Sequence, residues 1–394
     1  MKTIKDIDIS GKTVLVRVDF NVPLDKDQRV ADDGRILAVL PTLQYVLEHG
    51  AKLVVASHLG RPKGKVVSEF SLKPVAKRLS QLIQKEITLA PDCIGAEVQS
   101  VIDALKAGEG VLLENLRFHP EEEENDETFG KALAALCDVY VNDAFAVSHR
   151  VNASVVSVTR YAPVSAAGLL LKRELDTIYG AMADPVRPLA AVVGGAKISS
   201  KITALENMLQ RVDKLLIGGA MANTFLRFKG YDVGASMIEE NMVDTAGRIL
   251  NHAAERNIKC YLPVDVVAAE RFDADAAHRS VPVQEIVPEW MALDIGPATA
   301  ILYSETLQDA GTVIWNGPMG VFEMEPFSKG TMAVAQSIAG LKATTIAGGG
   351  ETGSAIHQAG VAHRISYIST GGGAFLSLLE GKQLPAVAAL ESAA

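Results

Sequence analysis

Four arginines stand where their side chains could converge on one ligand. Arg61 lies in SHLGRP, Arg117 in ENLRF, Arg150 at the end of a loop closing in His149-Arg150, and Arg35 opens the helical stretch ILAVLPTL. Asp19, Asn21 and His58 fall in equivalent places, just past the apolar runs TVLVRV and KLVVAS. A guanidinium fork matches paired oxygens of phosphate or carboxylate, and a helix start adds backbone N–H groups that favour an anion. Each arginine alone reads as a surface side chain. Jointly, in an acidic chain, they predict a pocket for a small ligand carrying more than one negative group.

A second set lies further on. In LAAVVGGAKISSKI a strand passes through Gly194-Gly195 towards Lys197 and Lys201. The spacing predicts both lysines on one face of a helix, where like charges repel unless an anion sits between them or water solvates them. Gly348–Gly353 matches GxGxxG after a strand, so Gly349, Gly350, Glu351 and Thr352 offer a phosphate-holding loop. Glu351 is a candidate Mg²⁺ ligand or, equally, a carboxylate compensating a helix dipole. WNGPMGVFE places Asn316 and Glu323 on another strand-end loop. No GK dipeptide satisfies GxxxxGK[ST], which disfavours a Walker NTPase. A dinucleotide-binding dehydrogenase is the alternative raised by GxGxxG, but the next strand ends in Ser369-Thr370-Gly371 without the required acid. The run Glu121–Glu124 reads as a solvated helix start, and His119 and His149 have no metal-ligand spacing.

The elements that must position these residues alternate. Short apolar runs (13–20, 52–58, 110–118, 138–145, 189–195, 214–219, 312–317, 344–350 and 364–370) are separated by amphipathic stretches such as KPVAKRLSQLIQK and NMVDTAGRILNHAAERN. That alternation predicts α/β architecture with parallel sheets covered by helices. The number of units predicts two doubly wound, Rossmann-like domains. VSAAGLLLKRELDTIYGAMADPVRP predicts one long interdomain helix, 165–184, closed by Pro185 and Pro188. The expected domains are 1–164 and 185–384, with a tail at 385–394 that patterning alone does not place.

The 394 residues carry 38 basic and 47 acidic side chains, a formal charge of −9, which argues against a general nucleic-acid or anionic-membrane surface. Three separated cysteines make no CxxC, fitting a reducing cytoplasm rather than a disulfide framework. The start, MKTIKDIDIS, lacks the apolar core of a secretory signal.

Side by side, RVDFNVP, SHLGRP, LENLRFH, VNDAF…HR, GGAKISSKI, GGAMANTF, DIGP, WNGPMGVFE, GGGET and STGGGA resemble the phosphoglycerate kinases, in that family's order and along essentially the whole chain. The resemblance implies a glycolytic kinase moving a phosphoryl group reversibly between 1,3-bisphosphoglycerate and Mg-ADP, giving 3-phosphoglycerate and Mg-ATP, by direct transfer after domain closure. By similarity, Asp19, Asn21, Arg35, His58, Arg61, Arg117 and Arg150 bind the glycerate ligand. Lys201, Gly219, Leu293, Asn316, Glu323, Gly349, Gly350, Glu351 and Thr352 bind ATP or ADP, with Gly219 and Leu293 in the adenine pocket and Glu351 on Mg²⁺. Arg35 and Lys197 match residues around the transferring group. The likeness also implies a cytoplasmic monomer with small-molecule substrates and a tail that returns to the N-terminal domain. Glu351 stands where Asp is more usual, and Val151-Asn152 where Ala-His often follows.

Overall fold

In the computed structural model, which describes residues 1–393, the chain divides into two compact units. The first comprises Met1–Asp176 and the stretch from Gln383; the second comprises Thr177–Lys382. Each is built on a six-stranded parallel sheet.

The strands of the first unit are β1 (Thr13–Arg17), β2 (Lys52–Ala56), β3 (Ile87–Leu89), β4 (Gly110–Leu112), β5 (Val139–Asn142) and β6 (Ser165–Ala167). Their order is β3-β4-β2-β1-β5-β6. β1 pairs in parallel with β2 on one side and β5 on the other, so the winding reverses there. Loops leaving the carboxyl ends of these strands diverge at such a reversal and open a crevice. Helices cover both faces, so central strands read as continuous apolar runs. Val14, Val16, Leu53, Val55, Val139 and Val141 belong to one buried cluster with Ile36, Val39 and Leu43 of the helix Gly34–Glu48.

The second unit repeats the plan with β7 (Leu189–Val193), β8 (Lys214–Ile217), β9 (Lys259–Tyr261), β10 (Asp265–Ala269), β11 (His278–Pro282), β12 (Met291–Ile295), β13 (Thr312–Asn316), β14 (Thr344–Ala347) and β15 (Tyr367–Ile368). The parallel order is β15-β14-β13-β7-β8-β9, reversing between β13 and β7. A three-stranded antiparallel sheet, β11-β10-β12, stands apart from it. The alternation of strands and helices did not announce that sheet, because four of the five β11 residues are exposed and carry no apolar pattern.

The stretch expected as one helix from 165 onward is divided. Ser165–Ala167 is fully buried strand paired with β5, and the helix is Leu169–Ala183. Gly168 separates them because a Cβ there would lie 2.2 Å from the Asp143 carboxyl. The Leu169 N–H donates to Thr42 Oγ1 (3.0 Å) and the Leu171 N–H to Asp143 Oδ1 (2.9 Å), so side chains satisfy the helix start. Pro185 disfavours helical backbone at Asp184 and stops the helix at Ala183. The helix Pro385–Ser392 buries Ala386 against Ala144, Val147 and Val155 of the first unit.

Candidate active site

In the first unit, Asp19 and Asn21 follow β1, His58 and Arg61 follow β2, Arg117 follows β4, and Arg150 follows β5. All these strands are parallel, so the residues share one end of the sheet. Arg35 stands in the first turn of Gly34–Glu48 and pairs with Asp19 (Nη1–Oδ2 2.7 Å). The Gly60 N–H donates to Asn21 Oδ1 (2.8 Å), and Arg117 Nη1 donates to the Gly60 carbonyl (2.8 Å), stitching three loops together. Arg61 and Arg150 are exposed, with their charge facing solvent.

His58 is buried, and burial with Arg17, Arg117 and Arg35 around it holds its ring well below the usual imidazole range, against the pull of Asp19. It is neutral at pH 7. Burial alone would raise Asp19, but with His58 neutral it is the Arg35 guanidinium, the Asn21 N–H and Arg17 that hold its carboxyl below the ordinary value. The site is therefore a set of fixed cations with carboxylates as internal partners: ionised Asp19 on Arg35, and Glu123 on Arg117 (Oε1–Nε 3.4 Å).

Beneath these residues lies a charged pair that patterning missed. Arg17 ends β1 and is 2% exposed; Glu122 is 1% exposed. Arg17 Nη2 lies 3.7 Å from Glu122 Oε1. The acidic run is thus not wholly solvated: Pro120 starts a short helix, Pro120–Glu124, and turns Glu122 inward. An arginine closing an otherwise apolar strand, TVLVR, was the available signal, since a buried guanidinium requires a partner.

In the second unit, the ends of β7, β8, β13 and β14 are glycine-rich, and their backbones meet closely. Gly195 has φ +114° and Gly317 φ +99°, a region L side chains avoid. A Cβ on Gly317 would lie 2.2 Å from the Gly194 carbonyl. Lys201 Nζ donates to Asn316 Oδ1 (2.5 Å) and to the Asn316 carbonyl (3.0 Å). Asn316 Nδ2 donates to the Gly348 carbonyl (2.8 Å), and the Gly317 N–H donates to the buried Thr352 Oγ1 (2.8 Å). Gly349 caps the helix Gly350–Gln358, which leaves the first-turn amides of Gly350, Glu351 and Thr352 without helical partners. β15 follows without an acid at its end, as in the sequence.

Lys197 and Lys201 do not lie on a helix. The helix begins at Ile202 with Lys201 as its N-cap; residues 199–201 form a turn and Lys197 lies in irregular chain before it. Gly195 breaks the chain direction, and the Ser199 N–H (3.0 Å) and hydroxyl are taken by the Glu239 carboxylate. Lys197 is exposed; Lys201 is partly buried, and burial lowers its ammonium to about 8 against the pull of Glu351. Beside this cradle is a cavity of about 600 Å³, lined by Gly219, Leu293, Met319, Glu323 and Glu351 among others. An apolar slot adjoining a backbone-rich, cationic end suits a flat heteroaromatic base joined to phosphates.

The family described as phosphoglycerate kinase matches residues 4–382. The phosphoglycerate kinase of Desulfotalea psychrophila is 57% identical over 392 residues, covering 100% of both chains. The chain belongs to the phosphoglycerate kinase family. That of Geobacter metallireducens is 56% identical over 383 residues, covering 97% of this chain and 96% of its own. The solved structure of phosphoglycerate kinase from Coxiella burnetii superposes with a TM-score of 0.89 at 42% identity, covering 99% and 98% of the two chains. The Pyrococcus horikoshii phosphoglycerate kinase superposes with a TM-score of 0.87 at 35% identity, covering 100% and 99%. The protein is accordingly a glycolytic phosphotransferase that moves a phosphoryl group reversibly between 1,3-bisphosphoglycerate and ADP. A nucleotide is its co-substrate. No helix among the described residues is long and apolar enough to cross a membrane.

Proposed function

We propose that the two units divide the reaction between them, the first holding 3-phosphoglycerate and the second holding ADP or ATP. The observation that carries this reading is the difference between the two strand-end clusters. One presents guanidinium groups from four separate segments; the other presents glycine backbone, one partly buried lysine and an apolar cavity. Asp19, Asn21, His58, Arg61, Arg117 and Arg150 hold the glycerate ligand's phosphate and carboxylate. Lys201, Asn316 and the loop Gly349–Thr352 hold the nucleotide phosphates, while Gly219, Leu293 and Glu323 line the base and sugar end.

Arg35 and Lys197 act on the transferring group. Its three equatorial oxygens need cations supplied in place, and no covalent enzyme intermediate is required. Direct transfer requires the two bound ligands to meet, so closure belongs to turnover and also excludes water. Glu351 would hold Mg²⁺. It is an exposed carboxylate on the rim of the cavity, takes part in no salt bridge among the described residues, and adjoins the phosphate loop. Mg²⁺ commonly takes one or two carboxylates with nucleotide phosphates and supplies charge neutralisation there. The chain works as a cytoplasmic monomer, carrying both half-sites itself.

The test is Arg61→Ala. Loss of a charge-assisted contact should weaken 3-phosphoglycerate by about 10- to 100-fold and leave ADP affinity unchanged. An equal loss for ADP would overturn the division.

A further inference from the structure

The first unit contains a continuous file of charged and polar groups that runs from Glu122 to the site. Glu122 is a hub. Its Oε1 accepts from Ser154 Oγ (2.6 Å), its Oε2 from the Ser154 N–H (2.9 Å), and its carbonyl from the Ala153 N–H (2.9 Å) and from Asn152 Nδ2 (3.0 Å). It thereby fixes residues 152–154, which begin two positions after Arg150, while sitting five positions beyond Arg117 in its own segment. Across the hub lies Arg17, whose Nε donates to Ser154 Oγ (2.8 Å) and whose Nη1 donates to the Val18 carbonyl. Its Nη2 lies 3.3 Å from His58 Nδ1 and 3.7 Å from Glu122 Oε1.

The contact with His58 has only one consistent proton arrangement. A guanidinium donates and cannot accept. His58 Nδ1 must then be the lone-pair nitrogen, and in a neutral imidazole the proton resides on Nε2. Nε2 faces Asp19, 3.8 Å from Oδ1. The ring is 2% exposed, and the cations Arg17, Arg35 and Arg117 surround it with Asp19 as the counter-charge, so it stays neutral. Arg17 in turn is kept beneath the ring by Glu122, the buried carboxylate that compensates it. A lone buried guanidinium would be costly and would seek another partner.

We propose that Glu122 and Arg17 are positioning residues which fix His58 as the neutral Nε2–H tautomer, so that the ring donates a hydrogen bond to the anionic substrate. This rests on the proposed reading that the first unit binds 3-phosphoglycerate. With this tautomer His58 joins Arg35, Arg61, Arg117 and Arg150 as a donor, and Asn21, whose Oδ1 accepts from the Gly60 N–H, has its Nδ2 left to donate. A phosphate or carboxylate oxygen finds N–H there, and His58 contributes specificity without titrating near pH 7.

The test uses full-length protein labelled with ¹⁵N-histidine and long-range ¹H–¹⁵N correlation at pH 7, with His58→Gln to assign the ring. The expected spectrum shows Nε2 protonated and Nδ1 unprotonated in the wild type. In Glu122→Gln, which keeps the shape, His58 should give mixed or exchanging tautomers. KM for 3-phosphoglycerate should rise about tenfold, the scale seen when a partner one step behind a ligating imidazole is lost, while KM for ADP stays unchanged. Glu122→Asp should recover part of the loss. Arg17→Lys, which retains charge but not the fork, should disturb the tautomer in the same way. A wild-type ring protonated on Nδ1 or on both nitrogens overturns the proposal, as does an unaltered tautomer in both variants. A ring of the expected tautomer that 3-phosphoglycerate does not perturb upholds the relay and overturns the ligand assignment.

Discussion

Lys201 offers a quantitative test of the nucleotide cradle. Its ammonium, partly buried and bonded to Asn316, is lowered to about 8 from an ordinary 10.5. The unfolded chain therefore binds this proton below roughly pH 10.5, whereas the folded protein binds it only below about 8. Stability falls as pH drops through that window and carries a constant penalty of about 3 kcal/mol below it. Nucleotide phosphates beside Nζ reverse the preference, because an anion restores the charged form. Binding and protonation are then linked: affinity is flat below pH 8 and falls about tenfold per pH unit above it. With a free-state value of about 8, ADP should bind about tenfold more weakly at pH 9 than at pH 7. The nucleotide's own phosphates are already ionised across this range.

The assay is isothermal titration of Mg-free ADP in buffers of differing ionisation enthalpy. At pH 8.5 binding should take up most of one proton, and at pH 7 about a tenth of one. Lys201→Met should bind more weakly at pH 7, with neither proton uptake nor a pH slope above 8. A flat wild-type profile, or the same slope in Lys201→Met, would refute the assignment of Lys201 to the phosphates.

If Arg35 and Lys197 act on the transferring group as proposed, Arg35→Ala and Lys197→Ala should each lower kcat by about 10²–10³-fold with binding of each separate ligand little changed; steady-state kinetics beside equilibrium binding decides this, and a raised KM with normal kcat counts against it. Asp143, buried with one carboxylate oxygen unbonded, is pushed up to about 7 by burial. Its raised value means that stability is full at acid pH and is lost as pH rises from about 4 through 7, by up to about 4 kcal/mol. Asp143→Asn should therefore gain stability over the wild type at pH 8 and lose that gain near pH 4, measured by chemical denaturation; a pH-independent difference would remove Asp143 as the cause. Small-angle scattering should give a smaller radius of gyration with both ligands present than with either alone, and equal radii would count against closure.

Much of this arrangement was legible because parallel strands write themselves as apolar runs and the candidate site residues stand just past their ends. Asp19, Asn21, His58 and Arg117 follow β1, β2 and β4 in that way, and the structure brings them into one bonded cluster. Arg17 and Glu122 were hidden for the complementary reason. Patterning assigns charge to solvent, and a charge that satisfies its partners in the interior leaves no trace in the order of residues. Lys197 and Lys201 show a different limit. Their spacing fits a helix, but Gly195 and the bonds from Ser199 to Glu239 hold the segment in irregular chain and a turn, and Glu239 lies forty residues away. The antiparallel sheet escaped notice because β11 is mostly exposed and β12, MALDI, resembles one more buried strand.

On the proposed division of ligands, the two clusters would hold anions by opposite physical means, and this bears on how each should respond to change. In the second unit the donors are largely backbone amides placed by glycines, so a side chain added at Gly317 must displace the Gly194 carbonyl and Lys201. Backbone donors placed in this way would suit a polyphosphate whose oxygens are spread along a chain. In the first unit the donors are guanidinium groups packed close together, which repel one another in the free protein. Asp19 and Glu122 offset part of that repulsion from below, and the ligand's negative groups would supply the rest. The neutral state of His58 follows from its burial together with this crowding: a charged ring shut away from water beside Arg17, Arg117 and Arg35 would cost more than Asp19 returns. Salt should therefore weaken 3-phosphoglycerate more steeply than it weakens the adenine end of the nucleotide, because exposed Arg61 and Arg150 are screened and an apolar slot is not.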